Sequence, residues 1–238
     1  MRRTFDQARR WTGLGTELLA KAADIGDEGL AAPSALPGWT RKHVVAHVAA
    51  NADALGNLVH WAATGEPTPM YASPEQRAAD IDRGSRLPAD ELTVWLRRSA
   101  ETLAASMDAL DAHAWQTQVT TAQGRTVPAT ELPWMRSREV CVHAVDLASG
   151  VAFADLPADF LAALCDDVAA KRATAPGVGL ALGLTATDMD ASWQLPGDAA
   201  DAIELTGPVA DVAAYLTGRP TALTTRDGGA PPELGVWL

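Results

Sequence analysis

Cysteine is scarce in this chain: two residues in 238, Cys141 and Cys165. Two thiols exclude a disulfide framework and a sulfur-ligated metal cluster. Positive charge is also in short supply. Nineteen Lys and Arg stand against thirty Asp and Glu, a formal net charge of -11, and no helical stretch carries a basic stripe. A nucleic-acid backbone needs a positive face, so that class of partner is excluded, whereas a small anion that meets a local arginine is not. Long apolar runs are missing too. Hydrophobic residues make up 47% of the chain, yet every run is short and interrupted, and none reaches the length of a bilayer span. The opening Met1-Arg2-Arg3-Thr4-Phe5-Asp6-Gln7 lacks the apolar segment of a secretory leader. These absences predict a cytoplasmic protein. Internal repeats and low-complexity segments are absent as well.

What the chain does have is helical periodicity, over a length that suits one large domain or a large and a small one. Phe5, Ala8, Trp11, Leu14, Leu18, Leu19 and Ala22 recur on a 3.6-residue period, which predicts a core-facing helix over Phe5 to Ala23. After the Pro33 to Gly38 link, Thr40 is a plausible N-cap for a second helix through Trp61, ending near Gly65. Thr64 to Pro74 is a proline-rich loop long enough to cover something. Ser73-Pro74-Glu75-Gln76 then opens a short helix with a capping-box pattern and Pro in its first position. A long helix follows over Ala89 to Leu110. Thr117 to Ala122 and Arg125 to Val127, broken by Gln123-Gly124, read as a small β-ribbon. The next long helix spans Leu132 to Ser149, with Pro133 in its first turn and Gly150 at its end. Beyond Phe153 helix and strand alternate: helices over Leu156 to Ala175 and Pro208 to Thr217, strands over Gly179 to Leu184, Ser192 to Leu195 and Ala202 to Thr206, with a turn at Pro196-Gly197-Asp198. The expectation is a mainly α protein of two domains, a helical one over residues 1–150 and a smaller α+β one over residues 151–238.

Two of these helices carry the chemistry. Glu139 and His143 stand four residues apart, so on a helix they share a face and can close on one ion. His47, from a second helix, would be the third ligand. Two neutral imidazoles and a carboxylate are a zinc-type set, and three protein ligands leave a fourth position for water or substrate. Each histidine also has an ordinary reading, as a hydrogen-bonded core residue. His43 shares the face of His47 and rivals it as a ligand, although the first turn of a helix is usually exposed. Cys141, two residues from both Glu139 and His143, points away from their face. A thiol needed for chemistry would therefore come from outside. Zinc on this ligand set carries a net charge of about +1, enough to deprotonate a bound thiol of pKa about 8.5 at neutral pH.

Several words of the sequence carry a resemblance: Gly38-Trp39-Thr40-Arg41 leading into Val45-Ala46-His47-Val48-Ala49-Ala50-Asn51-Ala52, then His60-Trp61-Ala62, Thr68-Pro69-Met70-Tyr71, Thr121 to Ala129, and Trp134-Met135-Arg136-Ser137-Arg138-Glu139-Val140 with His143-Ala144-Val145-Asp146-Leu147. Together they resemble the mycothiol-dependent maleylpyruvate isomerase family from about Gly38 to Gly150, with weaker support beyond. The resemblance implies a DinB-like up-down four-helix bundle that binds zinc through His47, Glu139 and His143, followed by a sterol-carrier-like C-terminal domain. It names mycothiol as the external thiol and implies cis-trans isomerisation of 3-maleylpyruvate to 3-fumarylpyruvate in the gentisate pathway of aromatic degradation. A thiolate adds to the conjugated double bond, the resulting single bond rotates, and elimination follows.

The same resemblance places an essential arginine in a Gly-Arg word, here Gly218-Arg219, so Arg219 is the catalytic candidate for holding carboxylates or the developing enolate. Its ordinary reading is an arginine completing a helix C-terminus. Arg125, Arg136 and Asn51 are candidates for contacts to mycothiol or substrate; Arg125, Arg136 and Arg138 could equally be solvated or paired. Asn51 and Asp146 each read either as groups that orient a ligand or as buried polar residues, and Tyr71 and Trp61 as packing. Two other functions stay open: a mycothiol S-transferase that keeps the thiol adduct, and a non-catalytic ligand-binding protein with a structural metal. Thr68 to Tyr71 and Gln123 to Pro128 favour isomerisation.

Overall fold

Thr4 starts the first helix in the computed structural model, which describes residues 3–174, 181–197 and 202–234. Its side chain accepts from the Gln7 amide, and its own amide donates to the Gln7 side chain. This reciprocal pair satisfies two amides that the helix itself cannot. Helix α1 then runs over Phe5–Ala22. A short α2, Gly26–Ala31, follows in a stretch to which the sequence reading assigned no element. Helix α3, Arg41–Thr64, begins at Thr40 and stops at Gly65, whose φ of 76° is open to glycine at no steric cost. Ser73 caps α4, Pro74–Ser85, through the Gln76 amide, with Pro74 in the first turn. Helix α5 spans Ala89–Asp108 and α6 spans Leu132–Asp146. Between them a two-stranded antiparallel ribbon pairs β1, Gln118–Thr120, with β2, Thr126–Pro128.

The chain divides into two compact units, the first running from Thr4 to Val151. In it α1 packs on α6, and α3 packs on α4, α5 and α6. Helix α3 is buried almost continuously from Val44 to Ala52. Its alanines make that possible, since short side chains let neighbouring helices approach from every side. Gly84 of α4 does the same from the other side: a Cβ there would come within 2.8 Å of the Ala46 Cβ and 2.6 Å of the Trp95 ring. A second close approach joins α1 to α6. Gly15 is buried against Val140 and Cys141, and a Cβ on it would lie 2.5 Å from the Cys141 sulfur. Leu14, expected on the core face, is 39% exposed instead. The core position beside it belongs to a residue with no side chain, because the interhelical distance at that level leaves no room for one. Lower in the bundle, Leu55, Leu58, Val59, Leu103, Met107, Trp115, Val119 and Leu132 form one apolar cluster, so the ribbon seals the end of the helical core.

The second unit covers the described residues from Ala152 onward, together with Arg3. It holds α7, Ala158–Ala173, and α8, Val209–Leu216. Its sheet has the order β4-β3-β5-β6. Strand β3, Leu182–Ala186, pairs antiparallel with β4, Ser192–Leu195, and parallel with β5, Ile203–Gly207. A two-residue β6, Thr224–Thr225, adds an antiparallel edge. Leu182, Leu184 and Leu205 are fully buried, and α7 and α8 pack on each other and on the sheet. Ala175, the last residue of the expected helix, Gly179 and Leu180 of the first expected strand, and Asp198 of the expected turn lie outside the described residues. No helix among the described residues is long and apolar enough to cross a membrane.

Candidate metal centre

Helix α3 brings His47 to the face of α6 that presents Glu139 and His143, and one ligand atom from each lies within 4.8 Å of the others. His47 Nε2 is 3.0 Å from Glu139 Oε2, and His143 Nε2 is 3.4 Å from the same oxygen. Ligand atoms about 2.0–2.1 Å from a tetrahedral ion stand about 3.3 Å from one another. The two distances to Glu139 and the N, O, N donor set therefore suit a zinc-like ion. Side-chain exposure falls from 28% at Glu139 to 15% at His143 and 8% at His47, so the set is accessible mainly at its carboxylate.

Electrostatics prepare the three groups differently. Burial lowers the pKa of His47, outweighing the Glu139 hydrogen bond that raises it, so this imidazole is neutral near pH 7. Burial would raise Glu139, but hydrogen bonds from His143 and His47 hold it well below the usual carboxylate range. Burial would likewise lower His143; the Asp146 and Glu139 hydrogen bonds win and push it up to about 9. Without an ion, the His143 proton supplies the positive charge between two carboxylates.

The surrounding residues hold the set in place. Asp146, fully buried, lies 2.8 Å from His143 Nδ1. The Trp39 ring meets His47 edge-on with centroids 5.7 Å apart. Arg77 on α4 donates from Nη2 to His47 Nδ1 at 3.3 Å and stacks over Tyr71. Arg136, 1% exposed, donates from Nη1 to the Val48 carbonyl at 2.8 Å and to Asn51 Oδ1 at 2.9 Å. This ties α3 to α6 one turn from the ligands. Arg136 and Asn51 thus contact each other, sealed from solvent, while Arg125 lies exposed in the ribbon turn with no contact to the ligand set. His43 is outside the set: its Nδ1 accepts from the Thr40 amide as part of the α3 cap. Cys141 faces Trp11 on α1, and burial pushes its thiol up to about 12. Arg219 follows α8, where its Nη1 donates to the Thr217 carbonyl at 2.6 Å.

Sequence reading did not single out Arg77 or Trp39. A signal existed for Arg77: a cation near the N-terminus of α4 works against the helix dipole and so asks for a reason.

The chain as a whole is similar to known proteins. A family model described as the mycothiol maleylpyruvate isomerase N-terminal domain matches residues 11–148, and the corresponding MDMPI C-terminal domain matches residues 155–235. A crystal structure of a mycothiol-dependent maleylpyruvate isomerase is 37% identical, with a TM-score of 0.92 over 99% of this chain and 98% of that one; a histidine-to-alanine mutant of such an enzyme matches equally. No curated protein matches the chain. With both domain models matched and solved relatives covered end to end, the chain belongs to the mycothiol-dependent maleylpyruvate isomerase family.

Proposed function

We infer that the protein is a zinc- and mycothiol-dependent isomerase that converts 3-maleylpyruvate into 3-fumarylpyruvate in the gentisate pathway of a cytoplasmic degradation route. The observation that carries this reading is the convergence of one ligand atom each from His47, Glu139 and His143 within 4.8 Å in a chain of this family. A zinc ion bound there supplies the positive charge that keeps a thiol deprotonated at neutral pH. The thiol supplies a nucleophile whose reversible conjugate addition turns the double bond into one that can rotate.

The protein's own groups do the rest. His47 offers a neutral imidazole because burial has already removed its proton. Asp146 accepts a hydrogen bond from His143 Nδ1–H, which turns Nε2 towards Glu139 and leaves it as the nitrogen that would ligate an ion once its proton is given up. Arg136 and Asn51 hold the two ligand-bearing helices in register. Cys141, with its thiol pushed up to about 12, cannot compete as an internal nucleophile. Arg219, on the strength of its Gly218-Arg219 word, is proposed to grip a substrate carboxylate or the developing enolate oxygen.

The test is to incubate zinc-loaded protein with maleylpyruvate, with and without mycothiol, and follow products and free thiol. Fumarylpyruvate formed only with mycothiol, the thiol being recovered unchanged, is the expected result. A stable thiol adduct would make the protein an S-transferase instead.

A further inference from the structure

Arginines on α4 fall into two kinds. Arg83 and Arg86 are ion-paired on the helix surface, to Asp80 and Asp82. Arg77 is half-buried and has no carboxylate within ion-pair distance among the described residues. Its Nη2 instead meets His47 Nδ1 at 3.3 Å, and its Cζ lies 5.8 Å from the centroid of the Tyr71 ring. Placing an unpaired cation near the positive end of a helix opposes the dipole, and half-burying it adds a desolvation cost. In a chain with thirty acidic residues, a partner for it was easy to supply. That a guanidinium sits unneutralised beside the ligand set points to an anion that comes from outside.

The imidazole contact fits this role. An arginine nitrogen can only donate, so His47 Nδ1 accepts, and the ring proton then sits on Nε2, facing Glu139. A histidine that ligates through Nε2 carries its proton on Nδ1 and can no longer accept from Arg77. The Arg77 contact and coordination through Nε2 therefore exclude each other. Once the site is loaded, the guanidinium has lost its imidazole acceptor while the Tyr71 face still holds its plane. A planar fork held in this way matches a carboxylate with two parallel hydrogen bonds.

We propose that Arg77 is a substrate-binding residue, which grips a carboxylate of the dianionic substrate beside the ligand set once His47 is engaged. The inference rests on the proposed isomerase function and adds the group that recognises the substrate within the helical unit. Maleate, a cis dicarboxylate lacking the ketone, serves as an unreactive probe.

Zinc-loaded wild type, Arg77→Gln and Arg77→Lys are compared for zinc content, for maleate affinity by calorimetry, and for KM and kcat with maleylpyruvate and mycothiol. Arg77→Gln is expected to keep its zinc and to raise both the maleate Kd and KM by roughly 10- to 100-fold, the scale of a charge-assisted hydrogen bond. Its kcat should fall by less. Arg77→Lys should recover only part of the affinity, because an ammonium lacks the fork. Unchanged maleate affinity and KM would overturn the proposal, as would failure of the wild type to bind maleate. Loss of zinc in step with activity would also overturn it, reducing Arg77 to a prop for His47. If the wild type binds maleate through Arg77 yet does not isomerise maleylpyruvate, the anion site stands and the proposed function falls.

Discussion

His143 Nδ1 lies 2.8 Å from the Asp146 carboxylate, and that carboxylate is wholly shielded from solvent. An ionised carboxylate can only accept, so Nδ1 keeps its proton and Nε2 is the nitrogen left to give up its own and join the ligand set. One residue of α6 thereby decides which nitrogen of another is available.

Asp146→Asn tests that relationship. The amide keeps the shape but removes the charge that polarises the ring, and either of its ends can face Nδ1. Zinc affinity should fall by roughly 10- to 100-fold, the usual cost of losing such an orienting group. Competition with a chromophoric chelator measures it, and an unchanged midpoint would mean that Asp146 serves only packing.

Zinc uptake should release about one proton per chain near pH 7.5. At that pH His47 is neutral because its pKa is lowered, Glu139 is ionised because its own is lowered, and His143 is protonated because its pKa is raised to about 9. Coordination requires His143 to give up that proton, so affinity should rise with pH by nearly tenfold per unit and level off above about 9. Calorimetry in buffers of different ionisation enthalpy counts the proton. A count near zero would mean that His143 is neutral in the metal-free protein.

Two glycines of α1 should respond to substitution with opposite sign. Gly13 has nothing within 4 Å of an added Cβ, so Gly13→Ala should gain up to about 1 kcal/mol of helix propensity. At Gly15 the added carbon would overlap Cys141 Sγ and Val140 Cγ2, and Gly15→Leu should lose about 1–3 kcal/mol by overpacking. Since Cys141 sits between Glu139 and His143, the same substitution should weaken zinc binding. Urea midpoints of the two variants give the signs directly.

Arg219→Lys separates the two roles open to that residue. If the guanidinium holds substrate charge, kcat should drop by about 10² or more with the melting temperature kept. If it only closes the α8 end through Thr217, lysine serves nearly as well and turnover should stay close to normal. Steady-state kinetics with thermal unfolding decide between them.

The long helices were legible because each combines a 3.6-residue apolar period with a chemical start signal, such as Ser73-Pro74 or Thr40. Helix α2 and strand β6 were not. The first has six residues and no side-chain cap, and the second has two residues, paired with Leu205 and Thr206. Gly15 shows a different limit. A hydrophobic pattern counts side chains, and the tightest contact in the bundle is made where one is missing. His47, Glu139 and His143 could be picked out because Glu139 and His143 share a helix face and the words around all three resemble the family's, the interval alone being common. Arg136 was left open between solvated and paired, and its bond to the Val48 carbonyl depends on how α6 meets α3. Arg77 was missed for the same kind of reason: its place near the α4 N-terminus asked for a partner, but that neighbour, His47, is 30 residues away in sequence.

His47 and Glu139 are separated by 92 residues, and that interval gives the ligand set a mechanical meaning. An ion shared by them is a cross-link that closes a loop of more than a third of the chain, drawn from helices that otherwise meet through side-chain packing, the Arg136 clamp and the Arg41 bonds to the Leu147 and Ala148 carbonyls. The unfolded chain does not hold such a site, so the free energy of binding the ion adds directly to the stability of the folded helical unit. Chelation would remove that contribution, so the helical unit should respond to metal supply as strongly in its lifetime as in its chemistry.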